Sequence, residues 1–372
     1  MAERPSGKVE ELESIRGVAA VLVVFFHMPA WNPALYDIHI IRNSYYMVDL
    51  FFVLSGFVMY INYGERLRTF RDLAKFQLLR IGRLYPVHLL FLLVALGMAL
   101  SKWLAAARLG MTLPNGGAFK DAGVAAFFEH LFLVQSLGFT PESSHAYNTA
   151  SWSISVEFFT YIVFGLLTLI TLRSLRLWIF ALITVFAMSL LHFFHYQVEN
   201  FSPILQCLAG YFLGCLTAVV GEKKAASLPS LVGFAVLVAL TVFTYLADAP
   251  EFNIAIFFLS AALILSVILG KEGIFRSMLR NKVLVFLGLI SYSVYMSHFC
   301  VLWAFNIFIR VIFKRPEAMT SGVSYPQLTV WEASLASLLA VAATLILSTI
   351  VFKTIEDPMR RKSRDWVRKL FP

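Results

Sequence analysis

The run Ile15-Arg16-Gly17-Val18-Ala19-Ala20-Val21-Leu22-Val23-Val24-Phe25-Phe26-His27 opens on an arginine and closes on a histidine, with apolar or small residues between. On an α-helix the eleven residues from Arg16 to His27 make about three turns, so both side chains share one face, roughly 16 Å apart. A run this apolar reads as a membrane span, and ionisable groups inside a span are costly enough to be treated as functional.

Composition extends that reading to the whole chain. The 372 residues are 59% hydrophobic and 14% charged, whereas a soluble domain has about 45–50% apolar and about 25% charged residues. With this one included, ten runs read as spans: 13–30, 46–63, 84–104, 152–172, 177–195, 203–220, 229–247, 253–270, 284–310 and 328–352. The expected fold is an all-α polytopic membrane protein of about ten transmembrane helices. The shorter run 122–138, which contains Glu129 and His130, reads as a re-entrant or interfacial helix. With ten crossings, 24 of the 31 Lys and Arg fall on the side of the N-terminus and 7 on the other. The positive-inside rule then puts both termini in the cytoplasm. In a bacterial cell the location would be the inner (plasma) membrane.

Other features narrow the reading. Met1 to Glu10 carries charges of both signs and reads as an uncleaved start. The expected organisation is a single membrane domain over 1–372 with no soluble accessory domain. Cys207, Cys215 and Cys300 lie in apolar runs and read as small buried hydrophobes. No His/Cys/Asp cluster has metal-ligand spacing, so no metal is expected. His88, His192 and His195 read as helix-end or packing residues. The net charge of +9 follows from the asymmetric basic loops, and no nucleic-acid partner is expected.

Five patterns carry chemistry. The first is Arg16…His27. The second is Asp49 at the start of its span, followed by Ser55-Gly56. The third is Arg80-Ile81-Gly82-Arg83-Leu84-Tyr85-Pro86, the fourth Trp152-Ser153-Ile154-Ser155-Val156-Glu157, and the fifth Tyr292-Ser293-Val294-Tyr295-Met296-Ser297-His298, with Glu356-Asp357-Pro358 near the end. In this order they resemble the acyltransferase-3 family of integral-membrane acyltransferases over about residues 10–362. The family's span-one histidine and arginine match His27 and Arg16, its paired arginines Arg80 and Arg83, and its Trp-Ser-x-Ser-x-Glu pattern Trp152, Ser153, Ser155 and Glu157. The family's frequent Asp-Gly-Leu-Arg reads Glu13-Ser14-Ile15-Arg16 here, with the arginine kept. The resemblance implies transfer of an acyl group, usually acetyl, from cytoplasmic acyl-CoA to a hydroxyl acceptor, often a glycan.

The residues fit that chemistry. Acyl transfer to an alcohol needs a base for the hydroxyl proton and donors where the oxyanion forms. A neutral imidazole supplies a base inside a span without a fixed charge, so His27 is the expected base; an acyl-histidine intermediate is equally open. Asp49 or Glu157 would orient the imidazole. Coenzyme A carries about four negative charges, and guanidinium forks at Arg80 and Arg83, with Tyr85 nearby, suit its phosphates. Trp152, Ser153, Tyr292, Tyr295 and His298 are the expected acceptor-side residues.

Bland roles stand beside these. His27 would serve as an interfacial histidine, Asp49 as a helix-start carboxylate, Ser55-Gly56 as close packing, and the tyrosines with His298 as an aromatic belt. The partners expected are acetyl-CoA as co-substrate, a hydroxyl acceptor and the lipid bilayer, with a homo-oligomer left open. The rival functions are a small-molecule acyltransferase, for instance for a macrolide, and a lipid or glycan transporter built on the same intramembrane charges; the lack of internal hydropathy repeats argues against the transporter.

Overall fold

The computed structural model describes residues 9–109, 123–139, 141–194, 201–222, 227–247 and 254–371. In chain order its elements are α1 Glu10–Phe26, α2 Pro33–Tyr36, α3 His39–Arg42, α4 Met47–Tyr63, α5 Phe70–Leu109, α6 Val124–Leu131, α7 Trp152–Ile170 and α8 Arg173–Phe193. They continue with α9 Ser202–Glu222, α10 Ser230–Leu246, α11 Ala255–Ile268, α12 Ile274–Leu279 and α13 Lys282–Phe313. A hairpin of β1 Glu317–Thr320 and β2 Val323–Pro326 precedes α14 Val330–Val351, and α15 Asp357–Leu370 closes the fold.

Each of the ten expected spans falls on one of these helices. Among the described residues seven helices are long and apolar enough to cross a membrane. The seven include α4, which with the turn before it runs Ser44–Tyr63; α1, α10 and α11, with 17, 17 and 14 residues, fall below that length. Side chains such as Trp178, Leu182, Leu231 and Leu338, all more than 60% exposed, give the bundle the apolar outer surface that hydrocarbon requires. This is the architecture of an all-helical polytopic membrane protein.

One expectation needs correction. The basic segment 64–83, whose charges read as a cytoplasmic loop, is helical from Phe70 onward: α5 runs unbroken for 40 residues, about 60 Å. Beside the helices, β1 and β2 pair as a short two-stranded antiparallel hairpin. Within 122–138 the helix α6 has only eight residues, about 12 Å, against a hydrocarbon core of about 30 Å. His195 and residue 122 lie outside the described residues.

Two glycine contacts set the helix crossings that matter for the site. A Cβ on Gly17 of α1 would stand 2.5 Å from the backbone nitrogen of Gly288 on α13. A Cβ on Gly56 of α4 would stand 1.8 Å from the carbonyl oxygen of Tyr211 on α9. Only hydrogen fits at either place, so the backbones touch, as small residues permit in membranes. At the chain's opening, buried Glu11 accepts from Arg276 and Arg280, both at 2.8 Å, tying α1 to α12.

A longer pairing joins α5 to α15, where Gly82 faces Ser363 so closely that a Cβ would meet its Cβ at 2.2 Å. Between α14 and α15 the chain makes a π-turn, Phe352–Glu356, a local widening often found at functional sites.

Candidate active site

The Gly17–Gly288 contact fixes the register of the site. His27 lies ten residues beyond Gly17, and His298 ten residues beyond Gly288. Two helices in contact and running the same way thus bring the histidines to one height. His298 Nε2 lies 3.2 Å from His27 Nδ1, with ring centroids 4.9 Å apart. His27 caps the C-terminal end of α1, its Nδ1 3.0 Å from the Val23 carbonyl. His298 is fully buried, its Nδ1 3.3 Å from the Val294 carbonyl. Arg42, on α3, donates to the carbonyls of Phe25 and Phe26 beside the pair.

Toward the other end of the bundle lies a cavity of about 80 Å³ whose wall includes charged and hydroxyl side chains. Arg16, Ser55, Arg83, Glu157, Tyr161 and Tyr295 line it, along with Ser153 and Tyr292. Ser55 Oγ and Tyr161 OH both donate to Glu157 Oε1 at 2.5 Å. Ser153 Oγ donates to Tyr295 OH at 2.9 Å, and Tyr292 OH donates to the Leu84 carbonyl at 2.6 Å. The Tyr295 ring also lies 5.9 Å from that of His298. A continuous line of side chains therefore runs from Arg16 and Arg83, past Glu157, to the two histidines.

The two arginines of the third pattern have different surroundings. Arg83 lines the cavity and feels the charges of Glu13, Glu157 and Glu356. Arg80 is buried in a cage of Tyr63, Phe76 and Tyr161 rings, its Nη2 3.4 Å from Tyr63 OH. Tyr85 turns aside and donates to the Leu131 carbonyl at 2.9 Å, anchoring the C-terminal end of α6. His88 and His130 reinforce that anchor: His88 Nε2 meets the His130 carbonyl, and His130 Nε2 the Ser143 carbonyl, both at 2.8 Å.

The carboxylates are not brought to His27. Asp49 is buried in the first turn of α4 and accepts from Gln206 on α9 at 2.7 Å. Glu157 is held by Ser55 and Tyr161 as above. Trp152 packs edge-on against Phe52 and is not a cavity-lining residue. Arg16 keeps Glu13 within 3.7 Å.

Sequence reasoning missed Tyr161, although its position four residues after Glu157 places it on the same helical face. It also assigned no role to Glu356, which is buried and accepts from Ser293 at 2.6 Å. Gln206 had no signal at all, since one polar residue in an apolar run does not name its partner. The cavity's arginines are the groups suited to hold the phosphates or pantetheine amides of a cofactor, and among the described residues no three His, Cys, Asp or Glu side chains form a metal cluster.

Two histidines in contact, arginines and buried carboxylates thus gather inside one helical bundle. The chain belongs to the acyltransferase-3 family, whose model, described as an acyltransferase domain, matches residues 9–353. It is similar to the acyltransferase MdmB of Streptomyces mycarofaciens, 28% identical over 71% of this chain and 70% of that protein. A shorter similarity, 34% identical over 38% of this chain, links it to protein 2 in the picA locus of Rhizobium radiobacter and covers 69% of that protein. The O-acetyltransferase OatA of Staphylococcus aureus is 23% identical over 94% of this chain, which spans only 57% of OatA's length. No solved structure matches. The protein is a multi-pass membrane acyltransferase.

Proposed function

We propose that this protein is an O-acyltransferase that moves an acetyl or other short acyl group from cytoplasmic acyl-CoA to a hydroxyl of an envelope, exported or lipid-linked glycan, in the inner membrane. The observation that carries the reading is the line of side chains from Arg83 and Arg16 to His27. Both termini are cytoplasmic in this reading, so the Arg83 end faces coenzyme A. Arg83, with Arg16, meets the pantetheine or its phosphates, and the arm extends past Glu157 and Tyr295. A cavity of about 80 Å³ is smaller than the roughly 300–1,000 Å³ of sites for ligands of this size, so in this reading donor binding widens it.

The acceptor reaches His27 from the opposite end. There His27 Nε2 takes the hydroxyl proton as the oxygen attacks the thioester carbonyl carbon. The new C–O bond forms, the C–S bond breaks, and the departing thiolate receives the proton to give free coenzyme A. Only the thioester has to reach the histidine, which explains why base and arginines sit toward opposite ends.

A mostly apolar cavity of about 250 Å³ at the His27 end, bounded by Phe25, Trp31, Tyr36 and Arg42, supports an acceptor that approaches from the outer half of the bilayer. OatA, named as an O-acetyltransferase, supports acetyl as the group. The test is to supply labelled acetyl-CoA to membranes carrying the protein and to extract glycans, lipids and small metabolites separately. Label in the glycan or glycolipid fraction above control membranes is the expected result. Label confined to small metabolites replaces the glycan by a small-molecule acceptor. No label in any fraction, beside an active control transferase and with the native host's extract added, contradicts the reading.

A further inference from the structure

We propose that His298 is the positioning residue for His27, accepting the hydrogen of His27 Nδ1 so that His27 Nε2 is the basic nitrogen. The inference rests on the reading of His27 as base and names what orients it.

Carbonyl oxygens only accept hydrogen bonds, and that decides the tautomers. His298 Nδ1 faces the Val294 carbonyl at 3.3 Å, so it carries the ring hydrogen and Nε2 holds the lone pair. His27 Nδ1 faces two acceptors, the Val23 carbonyl at 3.0 Å and His298 Nε2 at 3.2 Å. It must carry the hydrogen, shared between them. In neutral His27 the remaining lone pair is then on Nε2, which has no hydrogen-bond partner among the described residues.

The partner a hydrolase would use here is a carboxylate, and among the described residues none is in hydrogen-bond contact with His27. A neutral imidazole does the same orienting work without a buried charge, whose desolvation would be costly in apolar surroundings. The fold supports His298 for the task. It is completely buried, its neighbour Ser297 meets Ser348 Oγ at 2.9 Å, and the Gly17–Gly288 contact holds the two helices in register. Besides His298, the ionisable groups acting on His27 are Arg42 and His145; Arg42 is a donor and cannot accept from Nδ1.

The test compares His298→Leu, which removes the acceptor, with His298→Gln, whose amide oxygen reaches the place of Nε2, beside His27→Ala. Initial rates are measured in membranes against acetyl-CoA and the acceptor fraction found above. His298→Leu is expected to lower kcat about 100-fold, the lower end of a general base's contribution, with KM for acetyl-CoA unchanged. His298→Gln is expected to recover about a tenth or more of the wild-type rate, which a merely structural role would not predict. Full activity of His298→Leu while His27→Ala is inactive overturns the proposal and leaves the base reading intact. Equal loss in the Leu and Gln variants, both with native thermal stability, also overturns it. Activity of His27→Ala overturns the base reading itself. Should the variants fail to fold, nitrogen-15 histidine spectra of the wild-type protein decide: hydrogen on Nδ1 of both rings is expected, and hydrogen on Nε2 of His27 contradicts the assignment.

Discussion

Ser55 on α4 donates to Glu157 on α7 at 2.5 Å, across 102 positions of sequence. Tyr161 donates to the same oxygen at the same distance, so the carboxylate is a fixed acceptor facing the cavity that Arg16 and Arg83 also line. Replacing it with an amide keeps the shape and removes the charge that balances the arginines. Glu157→Gln is expected to lower acyl transfer at least about 100-fold, the scale of a lost electrostatic group in a dry site, while thermal melting moves by only a few degrees. Tyr161→Phe, which leaves Ser55 in place, should cost about tenfold or less.

Arg80 and Arg83 separate in experiment because they separate in space. Arg83→Ala, at the cavity wall, should raise KM for acetyl-CoA about tenfold or more, as expected for a lost charge-assisted contact, with melting near native. Arg80→Lys should instead destabilise by about 1–3 kcal/mol, because an ammonium does not reproduce the planar stacking on Tyr63, Phe76 and Tyr161. Donor titration and thermal melting of both variants check the division.

The α4–α9 crossing tolerates no methyl group. Gly56→Ala would drive its Cβ into the Tyr211 carbonyl, and backbone yields less readily than a side-chain tip. A loss of about 2 kcal/mol or more is expected, on the scale of overpacked cores, read as a lower melting temperature or lost protein. Gly97→Ala, with nothing within 4 Å of its Cβ, is the matched control and should be neutral or slightly stabilising in its helix.

The clasp between α1 and α12 depends on Glu11. Its carboxylate is 3% exposed and meets both Arg276 and Arg280, so Glu11→Gln leaves the two arginines with only the exposed Glu272 as ionic partner and should cost about 1–3 kcal/mol. Arg280→Gln, at a 40% exposed position, should cost less than about 1 kcal/mol. The outer half of this cluster resists acid: the Arg280 hydrogen bond holds Glu272 below the usual carboxylate value of 4.5. Its contribution is present above that value and is lost only as pH falls through the lower folded one. Melting at pH 5 should therefore match melting at pH 7 for this contact.

Much of this fold can be read from hydropathy, since apolar runs near 20 residues have few alternatives in lipid. The helical start of α5 was hidden because its charged residues look like a loop. They are helical because α15 packs along them, with Gly82 against Ser363. The pairings within the site were less legible. Motifs identified His27, Arg83, Glu157 and His298, but which imidazole partner His27 takes depends on the Gly17–Gly288 contact, a relation between residues 271 positions apart. Asp49 shows the same limit: one residue in sequence, its partner Gln206 157 positions away.

The central claim is that His27 accepts the proton that makes the acceptor hydroxyl a nucleophile. Its most direct test is the release of free coenzyme A from acetyl-CoA, in the presence of acceptor, by equally expressed wild-type protein and His27→Ala. The account predicts acceptor-dependent release by the wild type and a fall of about 100-fold or more in the variant, with unchanged melting. Wild-type release by a folded His27→Ala protein would contradict it.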